Sequence, residues 1–360
     1  MVTIHDVAKR AGVSISTVSN VLNKNKYVSE DLVRQVNAAV EELKYTANPI
    51  AQKMKIKNTK TIGVITADIC GLFYPYVIKG MYDVFNAEGY RMIIMDNDGA
   101  HDSLGEIKRF QENITGFIRD RMDGIVFAST VPEEIEAGIL EDTMNLPFYR
   151  KNTGFVCIEK NLTKYGVDSA YADSEAGAEM ATTHLIEVGC HKICHITGPF
   201  FVTIAQDRVR GYKKTMARHN LDVDDDRMIA FGDYTHKSGY TAMKELLQKT
   251  PDLDGVFVAN DQMSVGAMKA LFEAGKRLPE DVKLIGYDDV FIAGVLEPSL
   301  STIRVQKYQM GKTAAELLLS RIKENKDLHS PGKGIELEPK LIIRKSTVKN
   351  APNDWILTDW

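Results

Sequence analysis

Apolar residues recur at helical spacing through the opening stretch of the chain and then give way to short apolar runs separated by amphipathic segments. Thr3 and Asp6 are spaced as a capping pair, and Ile4, Val7, Ala8 and Ala11 follow on one helical face until Gly12 stops the run. Ser14 caps a second helix in which Val18, Val21 and Leu22 point inward and Ser16 and Asn20, one turn apart, point outward. Ser29 opens a third helix to about Lys44, with Leu32, Val36, Ala39, Val40 and Leu43 as its buried stripe. Residues 1–47 are thus expected to enclose one small all-α core. Asn48-Pro49 then offers an N-cap and a first-turn proline for a fourth helix through Lys55, within a linker spanning 48–57. Isolated helices below ~12 residues are marginal in water, so this segment is expected to fold only against a partner.

From Thr61 the period changes. TIGVITA (61–67), RMIIMD (91–96), GIVFAS (124–129), FVCIE (155–159), KICHIT (192–197), GVFVAN (255–260) and VKLIGYD (282–288) read as strands. Between them lie helical stripes such as Ile78, Met81 and Phe85, or Ala178, Ala181, Leu185 and Val188. Strand-helix alternation predicts parallel sheets covered on both faces, here an α/β body of two doubly wound lobes over 58–346. Residues 347–360 read as a tail to which the pattern assigns no role.

Composition is that of a globular protein, 44% hydrophobic and 26% charged. Four cysteines and an N-terminus without an apolar signal stretch point to a reducing cytoplasm, and no apolar run approaches the ~20 residues of a membrane span. The net charge of −4 conceals a polarity: the first 58 residues carry nine Lys and Arg against five Asp and Glu, the rest 36 against 44. A basic head on an acidic body suits a nucleic-acid partner at one end only.

The segment TIHDVAKRAGVSISTVSNVLN, followed by VSEDLVRQVNAAVEELKYTAN, resembles the start of the lactose-repressor/galactose-repressor (LacI/GalR) family. KTIGVI, RMDGIVF, DRVRGY, VANDQMSVGAM and LIGYDD continue the likeness, in order, to about Ser346. The resemblance implies a helix-turn-helix headpiece, a body folded like the periplasmic sugar-binding proteins, and a homodimer on a two-fold operator. It implies a transcriptional regulator, most simply a repressor of carbohydrate-utilisation genes, without a cofactor.

In a helix-turn-helix the second helix lies in the major groove, so Ile15, Ser16 and Asn20 are expected at base edges. The family usually carries a larger polar or basic residue at the position of Asn20. An asparagine pairs bidentately with adenine, so each half-site is expected to place an A·T pair there. Ser14, Thr17, Ser19 and Asn23 are placed to hold phosphates, and Thr3 belongs to the same DNA-binding set. The resemblance implies that the hinge helix, with Asn48, Ala51, Met54 and Lys55, enters the minor groove, Met54 standing where the family has its apolar wedge, usually leucine.

In open α/β sheets ligands bind beyond the carboxyl ends of the strands. Those ends carry Asp68 with Phe73 and Tyr74, Asp96 and Asp98, Ser129, Glu159 and Lys160, Asn260 and Asp261, and Asp288 and Asp289. Carboxylates and amides among aromatic rings suit a polyhydroxylated ligand. The resemblance narrows the effector set: Arg208 and Asp261 grip from the C-terminal lobe, Tyr234 forms an aromatic wall, and Phe73 and Asp98 face in from the N-terminal lobe. Tyr74, Glu159, Asn260 and Asp289 complete it. Where the family often has Gln-Pro at a crossover between lobes, this chain has Val305-Gln306.

Other chemistries find less support. Gly311-Lys312-Thr313 imitates the end of a phosphate-binding loop, but Gln306 stands where the loop needs glycine, and neither G-x-S-x-G nor H-E-x-x-H occurs. Alternation along a strand sends Cys190 and Cys194 to one face and His191 and His195 to the other, against a metal site. A transport-linked solute-binding protein would need a secretory signal and no headpiece. The alternative within the family is a global catabolite regulator controlled mainly by a phosphorylated partner protein.

Overall fold

The computed structural model describes residues 2–23, 26–45, 58–97, 103–128, 130–150, 153–326 and 328–352. It divides into two compact units, between Thr59 and Lys60. The first unit holds α1 (Ile4–Ala11), α2 (Ile15–Asn23) and α3 (Glu30–Glu42) around Val7, Ala8, Val18, Val36 and Ala39. Thr3 and Asp6 form the reciprocal capping box, and Gly12 ends α1 in the left-handed conformation that a residue without Cβ adopts freely. Ser29 stands at the N-cap of α3, but its side chain makes no capping bond.

The second unit runs β1 (Thr61–Thr66), α4 (Tyr74–Ala87), β2 (Arg91–Asp96), α5 (Ser103–Arg119), β3 (Gly124–Phe127), α6 (Glu133–Thr143), β4 (Gly154–Ile158) and β5 (Asp168–Tyr171). It continues through α7 (Ser174–Glu187), β6 (Ile193–Thr197), α8 (Thr203–Arg218), α9 (Asp225–Met228), β7 (Ile229–Phe231), α10 (His236–Lys249), β8 (Gly255–Val258), α11 (Asp261–Glu273) and β9 (Lys283–Asp288). The chain closes with α12 (Phe291–Val295), β10 (Ser301–Arg304), α13 (Lys307–Lys323), β11 (Gly334–Glu336) and β12 (Lys340–Ile342). Two six-stranded sheets result, ordered β11-β5-β4-β3-β1-β2 and β12-β10-β9-β8-β6-β7. Every pairing among the described residues is parallel except β10 with β12. The chain therefore passes between the lobes three times: after β5, after β10, and between β11 and β12.

The interior strands β1, β3, β4, β6 and β8 are buried along their whole length, as apolar runs flanked by helices on both faces must be. Five strands, β5, β7, β10, β11 and β12, lie outside the seven expected ones. They read DSAY, IAF, STIR, GIE and KLI, too short or too polar for a period, and they exist because a neighbouring edge offers its hydrogen bonds.

Gly311-Lys312-Thr313 lies inside α13, where the glycine has a packing role. A Cβ on Gly311 would stand 1.9 Å from the Val77 carbonyl oxygen, and one on Gly80 would stand 2.1 Å from the Tyr308 carbonyl oxygen, so α4 and α13 touch backbone to backbone. Gly311→Val is expected to force these helices apart and destabilise the N-terminal lobe by about 3 kcal/mol, the upper end of ordinary overpacking, as read by urea melts. Unchanged stability would contradict the close approach.

The Cys/His cluster departs from the simple alternation. Strand β6 starts only at Ile193, so Cys190 and His191 precede it, with Cys190 buried and His191 exposed. His195 is stacked between Tyr212 and Phe257, at centroid distances of 5.3 and 4.5 Å, and its Nδ1 bonds the Phe257 carbonyl at 2.9 Å. Burial brings its pKa down to about 3, which keeps the ring neutral. At the other end Thr347, expected in the tail, is buried, and its hydroxyl lies 2.8 Å from His184 Nε2 and 2.7 Å from Ser301 Oγ.

Candidate functional site

In the first unit the start of α2 is organised by hydroxyls. Ser14 Oγ accepts from the Thr17 amide at 3.1 Å and lies 2.7 and 2.8 Å from the hydroxyls of Ser16 and Thr17. This caps the helix and leaves its amide-rich end facing outward, the arrangement that receives phosphate. Ile15 is 37% exposed although large and apolar, Ser16 is exposed, and Asn20 is half-buried on the same helix. Ser19 and Thr17 are also half-buried, and Asn23 ends the helix. Thr3 bonds Asp6, its hydroxyl donating to the carboxylate at 2.8 Å. Asn48, Ala51, Met54 and Lys55 lie outside the described residues.

In the second unit a cavity of about 570 Å³ opens between the two lobes, at the carboxyl ends of the strands. That size suits a small organic ligand. From the N-terminal lobe it takes Asp68 after β1, Phe73 and Tyr74 at the start of α4, Glu106 from α5 and Glu159 after β4. From the C-terminal lobe come Phe201, Arg208, Asp233, Tyr234, Asn260 and Asp288. Five carboxylates thus face one guanidinium among the lining residues, with aromatic rings between them.

Arg208 is buried beneath this lining. One terminal nitrogen donates to the Ala259 carbonyl, the other lies 3.9 Å from Asp288, and the guanidinium carbon stands 3.8 Å over the Tyr287 ring. Its Nε has no hydrogen-bond partner. Tyr74 donates its hydroxyl to Glu159 at 2.5 Å. Burial raises the Glu159 carboxyl above its usual range, although the Tyr74 hydroxyl and the nearby Arg208 both pull it down. Burial likewise pushes Asp288 up to about 7, against the lowering influence of Arg208 and Lys307. Asn260 bonds its amide nitrogen to the Tyr234 carbonyl at 3.1 Å and its amide oxygen to the Met263 amide at 2.8 Å. It therefore holds Tyr234 in its left-handed conformation, φ 69°, while capping α11.

The raised Asp288 has a consequence for pH. Its native pKa lies above the 3.8 of an ordinary aspartate, so the native state loses stability relative to the unfolded chain as pH climbs from about 4 to 7. Asp288→Asn removes that ionisation, and its stability relative to the parent should rise between pH 5 and pH 8 by roughly 2 to 3 kcal/mol, read as a growing difference in melting temperature. A pH-independent difference would contradict the assignment.

Two expected effector contacts are placed elsewhere. Asp261 is fully buried at the first turn of α11, accepting from the Val290 amide at 2.9 Å and from Thr302 Oγ1 at 2.7 Å. It ties α11 to β10 and to the turn after β9, and Asn260 and Gln262 face the cavity in its stead. Asp289 is also fully buried, held by Arg304 Nε at 2.6 Å and paired with Arg344 at 2.8 Å. Its neighbour Asp288 faces the ligand space. Both Asp288, the last residue of β9, and Asp289 have positive φ, 104° and 52°, so strand alternation breaks there and cannot say which one turns inward. Asp98 lies outside the described residues. Glu106, Phe201 and Asp233 carried no expectation, because they come from helix and loop segments where periodicity says nothing about a distant cleft.

A helical unit with an outward polar helix start and a two-lobed binder with a polar cleft together define a ligand-controlled DNA-binding regulator. Residues 3–48 match the family described as bacterial regulatory proteins, lacI family, and residues 182–347 match a periplasmic binding protein-like domain. The chain is 34% identical over 347 residues to the HTH-type transcriptional repressor PurR of Serratia proteamaculans, covering 96% of this chain and 97% of that one. It is 32% identical over 324 residues to the ribose operon repressor of Escherichia coli K12, 89% of this chain and 93% of that one. Among solved structures, the transcriptional regulator CelR-cellobiose complex superposes with a TM-score of 0.69 at 27% identity, covering 96% and 100% of the two chains. The chain belongs to the LacI family of bacterial transcriptional regulators, whose members act by binding DNA and not as enzymes. Among the described residues no helix is long and apolar enough to cross a membrane, and no cluster of metal-ligating side chains occurs.

Proposed function

We propose that the chain is a homodimeric repressor of carbohydrate-utilisation genes, and that a sugar in the interlobe cavity sets its affinity for a two-fold operator. The cavity lining carries this reading. Carboxylates and amides accept sugar hydroxyl protons, aromatic rings cover C–H faces, and Arg208 holds a buried, unpartnered N–H. A phosphorylated ligand would find a single guanidinium among five carboxyl groups, and those that stay ionised would repel it. The relatives fit, one being a ribose operon repressor and one a complex with cellobiose.

Dimerisation has a physical motive in the sheet edge. Strand β2 is the last strand of the N-terminal sheet, and it leaves Ile93 and Met95 more than 40% exposed. An apolar open edge invites pairing, and a second copy covers it while bringing two headpieces to two half-sites. Met54 of each copy is then the minor-groove wedge, and the ligand acts by favouring one lobe angle over another.

Gel-shift titrations on promoters beside the gene, with and without a sugar panel, test the reading. A sugar-dependent change in affinity supports it, and a panel without effect on a promoter that is bound specifically overturns it. In the same assay Asn20→Ala is expected to cost about 1 to 3 kcal/mol on the preferred operator and to relax the choice of base pair at one position per half-site. An operator selection that returns G·C at that position would remove the role of Asn20.

A further inference from the structure

Beside the main cavity lies a second, more open hollow of about 670 Å³, lined by both lobes. The two spaces adjoin along two stretches of chain. Thr130 lines the first and Pro132 to Glu134 the second; Val202 and Ile204 line the first and Thr203 and Gln206 the second. Phe201 is a wall of both. A single hexose at ordinary packing density fills roughly a third of the inner cavity, so a ligand held there has room to continue outward.

At the outer end Phe200 is 73% exposed and Phe231 57% exposed, with ring centroids 6.5 Å apart and planes at 71°. Neither ring contributes much to the core, and exposed aromatics grouped at the mouth of a cleft mark a binding surface. The Phe200 loop is held in place: Gln206 donates its amide to the Phe200 carbonyl at 2.9 Å, and the Val202 amide bonds the Pro199 carbonyl at 3.0 Å. A ring carried on a loop already held in place costs less to order when a ligand stacks on it. Beside it stand Asp207 and Arg210, paired with each other, and the exposed Glu134, which offer acceptors and donors to hydroxyls.

We propose that the hollow is an outer subsite for a second sugar ring, stacked on Phe200, so that the effector is a glycoside of two or more rings. This rests on the reading of the inner cavity as a sugar site. Because Pro132 to Glu134 come from one lobe and Phe200 to Arg210 from the other, a second ring also bridges the lobes and adds to the difference between their open and closed angles.

Calorimetry on the full-length protein with glucose, galactose, xylose and ribose, and with cellobiose, maltose, lactose and xylobiose, tests it. One disaccharide is expected to bind at least tenfold more tightly than either of its component sugars. Phe200→Ala should reduce that advantage about tenfold and Phe200→Tyr should retain it; an exposed ring can be replaced without loss of folding, which a thermal melt checks. A monosaccharide that binds as tightly as every disaccharide overturns the outer subsite and leaves the sugar reading standing, as does an equal loss for both sugar lengths in Phe200→Ala. Absence of saturable binding by any sugar overturns both.

Discussion

Asp289→Ala is expected to destabilise the body by about 3–5 kcal/mol, the cost of leaving buried charge without its partner. The carboxylate is fully buried between Arg304 and Arg344, and Arg344 is itself almost inaccessible to water. With alanine, the guanidinium groups of Arg304 and Arg344 lose the carboxylate that lies between them. A guanidinium keeps its charge even when buried. Asp289→Asn keeps the shape and one acceptor and should cost less. Urea denaturation followed by circular dichroism measures both. A variant with parental stability and lost sugar binding would return Asp289 to the ligand site.

Arg208→Met should have the opposite profile, abolishing the ligand response while the protein still folds. Methionine keeps the hydrocarbon stem, though not the guanidinium that covers Tyr287, and the carboxylates left behind have a way out that buried guanidinium groups lack. Asp288, already at about 7 with Arg208 nearby, takes up a proton and becomes neutral. A ligand, however, loses the only cation lining the cavity, among the described residues, and with it hydrogen bonds from a charged donor. The expected loss of sugar affinity is on the order of 100-fold, about 3 kcal/mol. Operator binding without sugar should persist, and sugar should no longer alter it. Gel shifts and calorimetry on one preparation separate these effects, and an unaltered response in Arg208→Met would remove the residue from the site.

The two variants mark where reading the sequence succeeds and where it stops. Arg208, Tyr234, Glu159, Phe73 and Tyr74 were visible from the family likeness and from strand ends, and the structure brings them to one cavity. Asp261 and Asp289 were equally visible by those criteria, yet each turns its carboxylate into the C-terminal lobe. What separates them from Asn260 and Asp288 is backbone direction over a single residue. For Asp288 and Asp289 that direction is set at the end of β9, where two successive residues have positive φ, and for Asp261 and Asp289 also by the partners waiting in the core. Neither is local information.

The chain alone determined the elements with strong periods: three headpiece helices, seven strands of the body, and the helices between them. Burial of a periodic apolar face is a local demand, legible wherever the period is long enough. Tertiary contact decided the five short strands and the purpose of Gly311. It also decided which of two adjacent aspartates meets the cleft, and the placing of Phe201 between the inner cavity and the outer hollow. Each of these depends on a partner distant in sequence, an open strand edge, a facing carbonyl or a buried arginine, whose position exists only once the chain has folded.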